Sequence, residues 1–182
     1  MQNIYLSTHR MNLRELSQLD FDHLMDLDSD PEVMKYLSEG KPSTSEEIWG
    51  MIDRVEMLYQ KYQHRFGVWA AIDKDSNQFL GWFLLRPCKK YPDNLQSVEL
   101  GYRLKRKFWG HGFATEGSIE LINKAFNELG ALEIFATTSK FNLASQNVMK
   151  KVGLKFENEY HEDLFPGLDK RAVRFSMRKL LP

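Results

Sequence analysis

The stretch KRKFWGHGFATEGS, residues 105 to 118, sets three cations and two glycines directly ahead of a helix-forming run. Glycine costs a helix about 1 kcal/mol relative to alanine, so Gly110 and Gly112 must serve a turn, a packing contact or a ligand. The first N–H groups of a helix lack internal partners, and the macrodipole adds about half a positive charge there. With no Cβ at 110 or 112 and with Lys105, Arg106 and Lys107 alongside, those N–H groups form a candidate cradle for phosphate. A plain tight turn satisfies the same pattern. Two better-known phosphate loops are excluded. Walker A needs Gly-Lys followed by Ser or Thr, which is absent, and the dinucleotide fingerprint needs Gly or Ala where Thr115 stands.

The rest of the composition narrows the setting of that chemistry. A chain of 182 residues with 42% hydrophobic content and no repeat or linker-like tract is expected to form a single domain over 1–182. Its 25 basic and 25 acidic residues cancel, so no whole-molecule field would collect nucleic acid or a membrane. Cys88 is the one cysteine, which rules out a disulfide within the chain, and it and the 5 histidines lack zinc-ligand spacing, so no metal is expected. The N-terminus MQNIYLSTHRMNLRELS lacks a signal-peptide core, and no apolar run approaches the roughly 18 residues needed to span a bilayer. The expected compartment is the cytoplasm.

The positioning elements follow from periodicity and punctuation. MNLREL (11–16) alternates as a first strand, with further β-like residues at IYL. Short helices are expected over 20–29 and from Asp30, with Asp30 as N-cap and Pro31 in the first turn. The clearest helix, 43–62, has Ser43, Thr44 and Ser45 at its cap and an apolar side of Ile48, Ile52, Val55, Met57, Leu58 and Tyr62. Runs 65–73 and 78–87 flank the turn signal KDSN as a hairpin, and 97–104 adds a third strand to that meander. The glycine motif then leads into a helix from about 112 to 129, ended by Gly130. A strand LEIFATT, a helix NLASQNVMKKV ended by Gly153, and strands LKFENEYH and RAVRFSMRK complete a mixed α/β (α+β) chain.

VELGYRLKRKFWGHGFATEGSIELINKAF resembles the coenzyme A signature of the GNAT N-acetyltransferase superfamily, in the branch that includes the ribosomal-protein N-terminal (alanine/serine) acetyltransferases. The matching residues are Glu99-Leu100-Gly101-Tyr102 and Trp109-Gly110-His111-Gly112-Phe113-Ala114-Thr115-Glu116. A second signature follows through Asn142, Ser145, Lys151, Gly153 and Leu154, and THRMNLREL resembles the branch's first strand, so the likeness spans the chain. It implies the GNAT fold: a central mixed, mostly antiparallel sheet splayed between its fourth and fifth strands (97–104 and 132–138), flanked by about four helices. It also implies direct acetyl transfer from acetyl-CoA, a co-substrate, to an amine. Main-chain groups of Tyr102, Arg103 and Leu104 would meet the pantetheine. Lys107, Gly110, His111 (through its amide), Gly112, Ala114 and Thr115 would hold the pyrophosphate. Asn142, also a candidate helix cap, would contact the coenzyme.

Such a transfer must deprotonate the amine, stabilise an oxyanion and manage a departing thiolate. Glu99, which shares a strand face with Gly101 and Arg103, is the candidate base through water, or else a charge paired with Arg103. Many relatives place a tyrosine acid where Met149 stands, so the resemblance leaves Ser145 as the matching acid candidate. Lys107 also departs from the usual Gln or Arg, keeping charge but losing the guanidinium fork. The acceptor mouth is expected from 36–47 and 161–170, with Tyr36, Glu39, Glu46, Glu47, Glu162, Asp163 and Phe165. Trp69, Phe79, Trp82 and Phe83 are expected in the core. The leading expectation is an N-acetyltransferase for a protein N-terminal amine, working as monomer or homodimer. A small-amine acetyltransferase and a non-catalytic acyl-CoA sensor are the alternatives.

Overall fold

The computed structural model describes residues 3–38, 40–162 and 170–180. Strands β1 (Ile4–Ser7), β2 (Met11–Glu15), β3 (Gly67–Asp73), β4 (Phe79–Pro87) and β5 (Ser97–Leu104) form an antiparallel meander. A helical crossover then brings β6 (Glu133–Ser139) parallel to β5. The last two strands, β7 (Lys155–His161) and β8 (Arg171–Arg178), are antiparallel, and β8 lies between β6 and β7, giving the order β1-β2-β3-β4-β5-β6-β8-β7. Among the described residues five α-helices flank this sheet: α1 (Phe21–Ser29), α2 (Pro31–Met34), α3 (Ser45–Lys61), α4 (Phe113–Asn127) and α5 (Leu143–Lys151). This is the architecture the GNAT resemblance implies.

Local chemistry places these elements where the sequence marks them. Asp30 accepts from Glu32 N ahead of Pro31. Thr44 caps α3 in a reciprocal box, its hydroxyl accepting from Glu47 N while Glu47 accepts from Thr44 N. That helix buries Ile48, Ile52, Val55 and Tyr59, a stripe narrower than the sequence suggests, for Met57 is 65% exposed. Residues 4–7 and 11–15 form a hairpin of their own rather than one strand with an extension. The core runs between the sheet and its helices through Trp69, Phe83, Leu85, Leu121 and Phe175, with Tyr5 stacked on Trp69 at 3.9 Å.

Two features of this frame shape the site. β5 pairs with β6 only at Ser97↔Glu133, Val98↔Ile134 and Glu99↔Phe135; beyond that the strands part. On their outer edges both continue, β5 along β4 as far as Gly81↔Leu104 and β6 along β8 as far as Ser139↔Ala172. The gap is therefore held open by two completed ladders. The second feature is the close approach of α4: a Cβ on Gly117 would lie 2.4 Å from the ring of buried Phe83. Gly117→Ala gains about 1 kcal/mol of helix propensity but must displace that ring. We expect it to lower stability by about 1–3 kcal/mol, read as a lower urea midpoint at unchanged m-value.

Candidate active site

The glycine loop ends at Gly112, the N-cap of α4, in the left-handed region at φ 84° and with no side-chain cap. The first helical bond runs from Glu116 N to Gly112 O, and among the described residues nothing accepts from the N–H of Gly110, His111, Gly112, Phe113, Ala114 or Thr115. Gly110 has φ 79°, and nothing lies within 4 Å of the place where its Cβ would stand. Unclaimed donors over open space at a helix N-terminus fit a diphosphate. Beside the loop, a groove of about 440 Å³ is lined by Gly112, Thr115, Glu116, Ile119, Glu120 and Lys151.

The loop is fixed from behind by residues that sequence reasoning missed. Arg10 donates through Nη1 to His111 O at 2.9 Å and through Nε to Glu116 Oε2 at 2.7 Å. Arg10 N and the Thr8 hydroxyl both donate to Glu116 Oε1, at 2.8 and 2.5 Å. The Arg10 guanidinium also lies 4.2 Å over the Phe113 ring. The motif residue Glu116 thus braces the loop against the β1–β2 turn. Nothing local in the sequence signals a partner 106 residues away.

The three cations ahead of the loop part company. Lys105 pairs with Asp26 at 2.5 Å and Lys107 donates to Gln78 Oε1 at 2.7 Å, leaving exposed Arg106 uncommitted among the described residues. The main chain near the gap is also partly engaged, since Leu104 O accepts from the Trp109 indole at 2.8 Å.

Alternation sorts β5 into two faces. On one, Glu99 Oε2 accepts from Arg86 Nε and Nη2 at 2.9 and 2.6 Å, while among the described residues Oε1 takes no hydrogen bond. Glu99 is paired, but with Arg86 of the neighbouring strand; Arg103 reaches α1 instead, donating to Asp28 Oδ1 at 2.6 Å. Register explains the difference, for Arg86 stands directly across from Glu99. On the other face Tyr102 lies against Phe83, with ring centroids 6.0 Å apart. Burial pushes its phenol above the ordinary tyrosine range, and the Ser145 side chain opposes that by favouring the ionised form. Asn142 caps α5 by accepting from Ser145 N at 3.0 Å, and Met149, one turn beyond Ser145, is buried.

Around Glu99 the charge is mixed. The Lys89 ammonium is held below its ordinary range, first by the charge of Arg86, then by burial and by Arg54, against Glu99 and Glu162. Burial raises the Tyr160 phenol; the Thr137 hydrogen bond and Arg174 act against that, and the charges of Glu162 and Glu99 add to it. Of the expected mouth residues, Glu47 is spent on its helix cap, and Glu39, Asp163 and Phe165 lie outside the described residues. Trp69, Phe79 and Phe83 are core, and Cys88 is half-buried and free. Among the described residues no cluster of His, Cys, Asp and Glu could hold a metal ion, and no helix is long and apolar enough to cross a membrane.

Comparison with known proteins agrees with this geometry. Residues 10–155 match the profile of the acetyltransferase (GNAT) domain. FsC-acetyl coenzyme A-N(2)-transacetylase from Aspergillus fumigatus is 34% identical over 182 residues, covering 96% of this chain and 76% of that one. A GNAT-family acetyltransferase from Bacillus anthracis superposes with a TM-score of 0.81 at 20% identity, over 95% of this chain and 97% of the other. So does RimL, a ribosomal L7/L12 alpha-N-protein acetyltransferase solved with coenzyme A, with a TM-score of 0.81 at 15% identity over 97% and 98%.

Two outcomes follow for the loop. Gly112→Trp fills the cradle and is expected to abolish coenzyme binding measured by calorimetry, with the fold retained by circular dichroism. For Glu116, burial acts to raise the carboxyl, but the hydrogen bonds from Thr8 and Arg10 and the Arg10 charge outweigh it and hold the group below its ordinary value. The stabilisation it provides is complete above the unfolded carboxylate value of about 4.3 and fades as pH falls through the lower folded value. Melting temperatures of the native chain should therefore drop in that acid window, and Glu116→Gln should flatten the drop while lowering stability at neutral pH.

Proposed function

We propose, for a chain that belongs to the GNAT acetyltransferase family and is an acetyl-CoA-dependent N-acetyltransferase, that the acceptor is an α-amine. The observation that carries this is Glu99 at the neck of the β5–β6 gap, one carboxylate oxygen held by Arg86 and the other unclaimed among the described residues. A carboxylate fixed in that way can order a water and relay one proton, but it is a modest base. That suffices for an α-amine, of which roughly a seventh is neutral near pH 7, and is poorly matched to a lysine or polyamine amine, neutral well under about a thousandth of the time. The Arg54, Arg86 and Lys89 charges at the same mouth also disfavour a polycation and suit an acceptor with a carbonyl or carboxylate beside its amine.

Acetyl-CoA supplies an activated thioester; the chain supplies its placement. The free amides from Gly110 to Thr115 hold the diphosphate, with Lys107 at the rim of the loop and Asn142 at the head of α5. The unpaired edge of β5 from Tyr102 through Arg103 toward Leu104 receives the pantetheine. Glu99, from the opposite face to Tyr102, takes the amine's proton through water. Within the α-amine class, a protein N-terminus and an amino-acid derivative are both admitted. The Aspergillus relative's name specifies an N(2) nitrogen, the α-position when the acceptor is an amino-acid derivative. A need for acetyl-CoA is consistent with work in the cytoplasm.

The test is thiol release from acetyl-CoA across a panel of N-terminal peptides, amino-acid derivatives with free α-amines, lysine side-chain analogues and polyamines. Turnover confined to α-amines is expected. A preference for polyamines would overturn the acceptor assignment, and coenzyme binding with no amine-dependent release would replace the enzyme by a sensor. Glu99→Gln should lower kcat/KM by about 10²-fold near neutral pH, with a deficit that shrinks as pH approaches the amine's own value and an unchanged acetyl-CoA Kd.

A further inference from the structure

We propose that the Arg103 side chain binds the acceptor, its open Nη2 donating to an oxygen that the acceptor carries beyond its α-amine, with Asp28 as the residue that positions it. This rests on the reading of Glu99 as the base and of the acceptor as an α-amine.

The middle of the sheet has one face that its helices do not close. Trp82, Leu84 and Arg86 of β4 and Glu99, Gly101 and Arg103 of β5 share that face, and all are half-buried. On the reverse face Phe83, Leu85, Val98 and Leu100 are buried. Gly101 lowers the floor of the open row. The pairing of β5 with β4 passes it without a bulge, and its φ is not in the left-handed region. The atoms nearest to a Cβ there belong to the Leu84 side chain, the first at 3.3 Å. A strand glycine that no bulge or left-handed turn requires fits a close ligand approach.

Arg86 and Glu99 stand at one end of this row, Trp82 and Arg103 at the other. The Arg103 guanidinium is held on two sides. Nη1 donates to Asp28 Oδ1 at 2.6 Å, and Cζ lies 5.0 Å from the ring centroid of Trp82, its cross-strand neighbour. Nε is buried without a partner, whereas Nη2 takes no hydrogen bond among the described residues and is not sealed away as Nε is. The side chain keeps 17% of its surface exposed. A fixed guanidinium with an open donor is a receptor for a carbonyl or carboxylate oxygen.

No local purpose explains Asp28. It sits in the last turn of α1, where its charge opposes the helix dipole, and no basic residue in that turn offsets it. It is buried, and a buried ion pair gains little stability over apolar packing. Both oxygens are nevertheless engaged, Oδ1 by Arg103 and Oδ2 by the Ser43 hydroxyl at 2.7 Å, directly ahead of the Thr44 cap of α3. One carboxylate thus ties α1, the head of α3 and β5 together, and it aims the guanidinium.

Spacing then selects the acceptor. Glu99 and Arg103 are four residues apart, about 13 Å along β5 at roughly 3.3 Å per residue, and strand side chains stand nearly perpendicular to their sheet. A free amino acid bears its amine and carboxylate on one carbon and is too short to engage both groups. The oxygen that Arg103 meets therefore belongs to a later unit of an extended chain, as in a tripeptide or an amide-linked derivative.

The test compares alanine amide, trialanine and trialanine amide as acceptors. The native chain should favour the tripeptides by about 10- to 100-fold in kcat/KM, the strength of one charge-assisted hydrogen bond. Arg103→Lys keeps a cation beside Asp28 but withdraws the open nitrogen. It should level that preference chiefly through the tripeptide KM, at an unchanged acetyl-CoA Kd. The double variant Asp28→Asn/Arg103→Gln leaves no buried charge unpaired and should level it too. Asp28→Asn alone should weaken the preference, a selective effect that general loss of stability would not produce. Trialanine outpacing its amide would assign the oxygen to a carboxylate, and parity would assign it to a main-chain carbonyl. A native chain indifferent to acceptor length, or an Arg103→Lys chain that keeps the preference, would overturn the proposal. Turnover of polyamines and of no α-amine would instead remove the reading beneath it.

Discussion

The function proposed for this chain depends on two neighbouring strands that begin together and do not stay together. A parallel ladder normally continues as long as both strands do, because an unpaired backbone N–H or C=O in a sheet is expensive. Here β5 and β6 separate after Glu99 and Phe135, although each runs several residues further. The outer ladders with β4 and β8 hold each lip in place, so the gap does not zip shut, and its polar edges remain available to a ligand that can mimic a strand. Alternation disposes the side chains of β5 about that fork, Glu99 on one face and Tyr102 on the other.

That division gives one strand two chemically distinct faces. Glu99 and Tyr102 are three residues apart and odd-even in register, so the sheet itself stands between them. The carboxylate is shaped by its cross-strand arginine, and the phenol by burial and a helix-borne hydroxyl.

Elements whose cause is local could be read from the sequence. Asp30, Thr44 and Asn142 cap as their residue types suggest, strand 97–104 has the expected bounds, and the left-handed glycine at 112 opens its helix. The fork and the family came from matching motifs rather than from periodicity, for nothing in hydrophobic alternation says that two strands will part. The finer site was less legible because its partners are fixed by register and tertiary packing. Glu99 could have met Arg103 on its own strand, but direct cross-strand opposition favours Arg86. The run Lys105 to Lys107 looked like a single basic patch, yet Asp26 and Gln78 claim two of its members from elements far away in sequence.

The brace behind the glycine loop has a consequence for how the molecule comes into being. Thr8 and Arg10 reach Glu116 across 108 and 106 residues, so the bracing of the glycine loop is among the least local parts of the fold. Contacts of such separation carry a heavy loop-closure cost and form late. During synthesis the first hairpin can pair with β3 as soon as residues 67–73 are made, but its brace to the loop waits for the central helix. A nascent chain stopped before that point has a meander whose bracing residues, Thr8 and Arg10, still lack their partner.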